Sequence, residues 1–216
     1  MADGTQASVG AFKGPNAGRV RLILASASVA RSRLLTDAGV AAETIGAAVD
    51  EDSVKASLRA DGASPDQIAD TLAEMKAVRV STRHPGAMVI GADQVLALDG
   101  AVYDKPTDRD RAHAHLRALQ DRSHVLVTST VVVRGGQRIW SHSERATLHM
   151  RSLSDATIAQ YLDATGDRAL ASVGAYQLEG LGAQLFTRVE GDFFTILGLP
   201  LLPLLGFLRQ HGLVPA

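Results

Sequence analysis

The sequence predicts one α/β domain built on a mixed, partly antiparallel sheet flanked by helices. Strand-length apolar runs alternate with segments of helical period, as in sheets covered by helices. Two hairpin-forming dipeptides, Asp99-Gly100 and Gly135-Gly136, interrupt that alternation, so the sheet is not purely parallel. No repeat, heptad or composition shift divides residues 20–216.

The elements follow in order. Val20 to Ala25 reads as a buried strand, and Ala30, Leu34, Leu35 and Ala38 then fall at helical spacing until Gly39. The acidic run Asp50-Glu51-Asp52 reads as a loop after a short apolar stretch. Ser64-Pro65-Asp66-Gln67 combines a capping serine, proline at the first helical position and glutamine at the capping-box position. That helix runs to about Val80, before His84-Pro85-Gly86. Ala87 to Gly91 and Gln94 to Leu98 read as strands, and Thr107 as the cap of a helix ending near Gln120. Val125 to Val133 and Ile139 to Met150 are long strands, and Ser154 starts a helix that Gly166 ends. Thr195 to Gln210 is apolar and mostly helical, interrupted by Pro200 and Pro203.

Composition narrows the function. With 46% hydrophobic residues the chain can bury a sizeable core. A net charge of -1 argues against a sequence-independent nucleic-acid binder, which needs a basic face. The absence of cysteine excludes disulfides, thiolate metal sites and cysteine nucleophiles, and fits a reducing compartment. Residues 1–19 lack a continuous apolar stretch and read as a flexible leader, not a signal peptide. Ile196 to Leu208 is too short to span a membrane. The expected location is cytoplasmic, without membrane or nucleic-acid partners. The apolar C-terminal segment suits either core or a homodimer interface.

Polar residues gather at element ends, where sites are usually built. The junction Leu22-Ile-Leu-Ala-Ser-Ala-Ser28 with Arg31 brings helix N–H groups and a guanidinium to one place, either as an anion site or as a plain N-cap. Asp50-Glu51-Asp52 suits a hard divalent cation or a solvated loop. Lys76 lies among Leu72, Ala73, Met75 and Ala77, where a lysine can also lie along the helix flank. Asp93, in Gly91-Ala-Asp-Gln94, follows a buried strand, where it serves as general base, metal ligand or turn former. Lys105 precedes the rigid Pro106 and can face phosphate oxygens or sit as an ordinary loop lysine. Gly180 and Gly182 permit close approach of backbone to a planar base, but Leu185 breaks any dinucleotide fingerprint. Neither a Walker glycine-lysine loop nor a serine nucleophile elbow occurs. His113 and His115, two apart on a helix, point to different faces and are expected at the surface.

Together these residues resemble the Maf family of septum-formation-inhibitor-like nucleoside triphosphate pyrophosphatases. The family's opening signature, Ala-Ser-x-Ser-Pro-Arg-Arg, stands here as Ala25-Ser26-Ala27-Ser28-Val29-Ala30-Arg31. Asp50-Glu51, Leu72-Ala-x-x-Lys76-Ala77, Gly91-Ala-Asp93, Lys105-Pro106 and Gly174-Ala-Tyr-x-x-x-Gly180-x-Gly182 follow in the family's order. Glu190-Gly-Asp192 and Leu197-Gly-Leu-Pro200 close it. The resemblance implies an ITPase-like fold with two lobes around a nucleotide cleft. It also implies a divalent metal (Mg²⁺ or Mn²⁺) and cleavage of a nucleoside triphosphate to monophosphate and pyrophosphate. By position Asp93 matches the catalytic carboxylate, and Ser28, Arg31, Glu51, Lys76 and Lys105 match other active-site positions. Glu51 and Asp93 are the expected metal ligands.

Three positions depart from the pattern of the dTTP/UTP-specific members. Val29 replaces the proline, Ala30 the first arginine, and Glu179 the glutamine before Gly180. A carboxylate accepts from N–H groups such as a guanine-type base presents, whereas an amide can donate to a base carbonyl. These changes turn the expectation toward the 7-methyl-GTP branch. The alternatives are a dTTP/UTP pyrophosphatase and a non-catalytic nucleotide-binding regulator of cell division.

Overall fold

The long strand β3 (Met88–Leu98) is the spine of the molecule, and its unequal neighbours explain the shape around it. The computed structural model describes residues 13–216. A seven-stranded sheet runs β2-β1-β3-β5-β6-β7, with β4 also paired to β3. β1 (Leu22–Leu24) lies parallel to β2 (Glu43–Thr44) and to the first residues of β3, whereas β3, β4 (Ala101–Tyr103), β5 (Ser123–Arg134), β6 (Gln137–Met150) and β7 (Phe186–Glu190) pair antiparallel. The mixed sheet expected from the hairpin dipeptides is the one found. Asp99 and Gly100 (φ 51° and 80°) turn β3 into β4, and Gly135 and Gly136 (φ 58° and 77°) turn β5 into β6, as two-residue hairpins require.

On one edge, β3 pairs with β1 only over Met88 to Ile90 and with β4 only from Leu96 onward. Between these two partners no strand among the described residues pairs with the edge, and the sheet opens. On its other edge β3 pairs continuously with β5, Asp93 lying opposite Ser129. Gly91 to Gln94 is therefore strand, not the break between two strands that the sequence suggested. Continuous pairing with β5 overrides the local glycine signal.

The helix α3 (Pro65–Ser81) covers one face of this strand. Its capping box forms as read: Ser64 Oγ accepts from the Gln67 amide and Gln67 Oε1 from the Ser64 amide. Ile68, Leu72, Ala73 and Ala77 pack under β3 and β5, alongside Val89, Val95, Val127 and Val131. On its outer flank Arg138 reaches Asp70 and Glu74 from β6, and Arg145 reaches Asp66. The opposite face of the sheet carries α1 (Val29–Asp37) and α7 (Leu201–Gln210) at the β1 end. α4 (Arg109–Leu119), α5 (Asp155–Thr165) and a chain of 3-10 turns from Gly166 to Leu185 lie at the other end. α6 (Phe193–Ile196) lies between these two halves. The apolar face of α7, with Leu201, Leu204, Phe207 and Leu208, is core in this chain.

Other expectations need correction. Asp50-Glu51-Asp52 is not a loop: Asp50 accepts from the Ser53 amide and caps α2 (Glu51–Ala60). Asp108, not Thr107, caps α4, because its carboxylate accepts from the Arg111 amide at 2.8 Å. The first strand is confined to Leu22–Leu24. His113 and His115 are both half-buried, not surface residues, the latter edge-on to Tyr103. Of the segment expected as a leader, residues 1–12 lie outside the described residues. Farther along it, Asn16 holds the C-terminal turn through Gly212 O and His211 O. Among the described residues no helix is long and apolar enough to cross a membrane.

Candidate active site

The gap in the sheet edge opens into a cleft of about 950 Å³, within the range of small-ligand sites. Its lining includes every residue that the sequence nominated: Ser28, Arg31, Glu51, Lys76, Asp93, Lys105 and Glu179.

Asp93 lies at the bottom, 4% exposed and on the α3 face of β3. Lys76 reaches it from α3, Nζ to Oδ1 at 2.6 Å, and makes a second ion pair with Glu51 at 2.9 Å. A glycine permits this approach. A Cβ at Gly91 would stand 2.1 Å from the carbonyl oxygen of Ala73 and 2.9 Å from the Ala77 Cβ. Only a residue without a side chain lets α3 lie this close to the strand, and the close fit sets Lys76 against Asp93. The other carboxylate oxygen, Oδ2, is buried without a hydrogen-bond partner among the described residues. Buried carboxylate oxygens are ordinarily satisfied, so this one stands out in a residue that lines the cleft.

Glu51 stands in the first turn of α2, across the cleft. Its partial burial works to raise its pKa, but Lys76, by charge and hydrogen bond, and then Lys55 and Lys105 outweigh it, so the net shift is downward. Arg31 is 9% exposed, its Nε donating to Gly198 O at 2.7 Å and its Nη1 to Ser26 Oγ at 3.3 Å. Burial lowers its pKa, opposed by the charges of Asp93 and Glu51. The nearby Ser28 caps α1, Oγ accepting from the Arg31 amide at 3.4 Å, so the N-cap reading of this junction is the one seen. The amides of Val29 and Ala30 begin the helix and have no intrahelical acceptor. Lys105 is exposed, yet its pKa is lowered, first by desolvation and then by Arg31 and Lys76, with Glu51 and Asp93 opposing.

The far wall is the 3-10 segment. Glu179 is exposed at its rim, beside half-buried Gln177 and Leu178. Tyr176 anchors this wall in the core, its hydroxyl 2.6 Å from His124 Nε2. Burial drives the His124 pKa down to about 4 and raises that of Tyr176. Gln94, on the opposite face of β3 from Asp93, donates to Thr195 O and Ile196 O and ties α6 to the sheet. The Glu190-Gly-Asp192 motif is structural on this geometry. Asp192 caps α6 through the Thr195 amide at 2.7 Å, and Glu190 pairs with His149 and Arg188.

Sequence reasoning missed Lys55 and Asp104, which also line the cleft. The signal was present: Lys55 is four residues after Glu51 and so shares its helix face. It became readable only once α2 was known to be a helix.

A buried carboxylate–lysine pair in a sheet gap, ringed by cations and helix amides, defines a site for a phosphorylated ligand. Comparisons with known proteins agree with that class. The sequence profile of Maf-like proteins matches residues 21–211, and the chain belongs to the Maf family. It is 56% identical over 194 residues to the nucleoside triphosphate pyrophosphatase of Paramagnetospirillum magneticum, covering 89% of this chain and 100% of that one. It is 55% identical over 192 residues to the nucleoside triphosphate pyrophosphatase of Granulibacter bethesdensis, covering 89% and 98%. Against the 7-methyl-GTP pyrophosphatase of Rhizobium meliloti it is 50% identical over 195 residues, covering 90% and 98%.

Proposed function

We propose that this protein is a nucleoside triphosphate pyrophosphatase, a hydrolase of phosphoric anhydrides that releases a nucleoside monophosphate and pyrophosphate. The names of its full-length relatives support the activity. The observation that carries the reading for this chain is the state of Asp93, which lines the cleft: one oxygen is held by Lys76 and the other is buried without a hydrogen-bond partner among the described residues.

In this reading water attacks the α-phosphorus and the bond to the bridging oxygen breaks, with pyrophosphate leaving. Asp93 Oδ2 either orients the water and takes its proton or would hold a divalent cation in that place, while Lys76 fixes the carboxylate through Oδ1. Lys76 and Lys105 offset charge on the phosphate oxygens. Arg31 contributes through the guanidinium hydrogens not already given to Gly198 and Ser26. Ser28 and the first amides of α1 position the phosphates.

A hard divalent cation, Mg²⁺ or Mn²⁺, fits this donor set. Asp93 has the orphaned oxygen, and Glu51 faces it across Lys76. Among the described residues no group of three or more potential ligands converges. Glu51 and Asp93 would therefore hold the ion with substrate oxygens completing its shell, as is usual for Mg²⁺. Such an ion supplies charge stabilisation at the phosphate oxygens.

For the base, Glu179 on the exposed wall accepts from N–H donors, which favours a guanine-type base and, by the relatives' names, 7-methyl-GTP. Purified protein incubated with 7-methyl-GTP, GTP, UTP and dTTP and either Mg²⁺ or Mn²⁺ tests the reading. Pyrophosphate with monophosphate, fastest from 7-methyl-GTP and dependent on the added cation, is expected. Orthophosphate, or binding without product, contradicts it.

A further inference from the structure

Four cations line the cleft: Arg31, Lys55, Lys76 and Lys105. Two are heavily committed within the protein. Lys76 bridges two carboxylates, and Arg31 gives its Nε and Nη1 to Gly198 and Ser26. Lys105 stands exposed on the turn before Pro106, among the like charges of Arg31 and Lys76 as well as the carboxylates of Glu51 and Asp93. A nucleoside triphosphate brings up to about four negative charges at neutral pH, more than these three groups meet on their own.

Lys55 is differently placed. Its side chain is 12% exposed, and its one ion pair among the described residues, with Asp104, is 3.3 Å long, against 2.6 and 2.9 Å at Lys76. Asp104 does not depend on it, since Arg59 from the next turn of α2 donates to both its oxygens at 2.9 and 3.0 Å. An ammonium has three donors and a flexible stem, so Lys55 can leave without stranding a charge. Its position fits the far end of a triphosphate chain. It lies one helical turn beyond Glu51, and its partner Asp104 directly precedes Lys105.

We infer that Lys55 is a phosphate ligand of this enzyme, held by Asp104 and passed to the β- and γ-phosphates when a nucleoside triphosphate enters. Arg59 keeps Asp104 neutralised during the exchange. Lys55 thereby selects for the triphosphate chain over a monophosphate. This rests on the pyrophosphatase reading above.

Calorimetric titration tests it with three probes: the α,β-methylene analogue of GTP, inorganic pyrophosphate and GMP. Lys55→Ala should weaken the analogue and pyrophosphate on the order of tenfold, the scale of one charge-assisted hydrogen bond, and leave GMP unchanged. Arg59→Ala, which leaves Asp104 to Lys55 alone, should weaken the analogue and pyrophosphate by about twofold to fivefold and leave GMP unchanged. Asp104→Asn should tighten the analogue only while Lys55 is present, because a general gain in positive potential would persist in the double variant. Equal weakening of GMP, wild-type affinity in Lys55→Ala, or an Asp104→Asn gain that survives Lys55→Ala each overturns the role of Lys55. Failure of the parent reading is separate: the unsubstituted protein would then bind no analogue or release orthophosphate from GTP.

Discussion

The inner and outer walls of the cleft are built in opposite ways. The inner wall is β3 under α3, where Asp93 and Lys76 are buried in close-packed structure and Gly91 leaves no slack. The outer wall is α2, the Lys105 turn and the segment around Glu179, where Lys105 and Glu179 are exposed and Glu51 and Lys55 only half-buried. In the proposed division, groups that must hold one geometry are fixed by long-range sheet packing. Groups that choose among ligands stand on surface that can change without disturbing the core.

The strongest way to break that division is at Asp93. Asp93→Asn keeps the shape and removes the proton acceptor, so kcat should fall by about 10² to 10⁴ with an unchanged circular dichroism spectrum. Near-normal turnover would take Asp93 out of the chemistry.

Next is the anchor between the walls, the His124–Tyr176 pair. In the unfolded chain the imidazole takes a proton near 6.5, but in the folded protein only near 4. Its contribution to stability is therefore complete above 6.5 and lost as pH falls toward 4, by about 3 kcal/mol in total. Denaturant unfolding at pH 7 and pH 4.5 should show that loss, and His124→Phe should flatten it. An equal pH dependence in the variant would place the titration elsewhere.

Gly91→Ala tests the tightness of the inner wall directly. The new methyl group cannot fit beside Ala73 and Ala77 unless α3 shifts, which should cost about 1–3 kcal/mol in urea unfolding. Because Lys76 rides on that helix, activity should fall as well. A variant of full stability and full activity would mean that the close packing does not position the pair.

These residues also show what a sequence can reveal. Turn and cap chemistry is local, so Ser64-Pro65-Asp66-Gln67, Asp99-Gly100 and Gly135-Gly136 are legible in the sequence alone. The nominated site residues were legible too, and all meet at one cleft. Their partners were not. Nothing local says that Gly91 is a close approach to a helix packed above it, since the contact belongs to the tertiary fold. α2 was hidden because its acidic start resembled a solvated loop, although Val54 and Leu58 stand at helical spacing behind it and pack inward. β7 escaped because its side chains are mostly exposed and its pattern carries little apolar signal.

The smallest expected effect is on the outer wall. Glu179→Gln should leave stability unchanged and lower the ratio of kcat/KM for 7-methyl-GTP over UTP by roughly tenfold, the scale of one altered hydrogen-bonding group. An unchanged ratio would assign base selection to another residue of that wall.

The inner-wall chemistry is tested most directly by hydrolysis in ¹⁸O-labelled water with mass analysis of both products. Attack on the α-phosphorus beside Asp93 places the label in the nucleoside monophosphate and leaves pyrophosphate unlabelled. Label in pyrophosphate or orthophosphate would show that water attacks a different phosphorus, and would contradict the role given to Asp93 and Lys76.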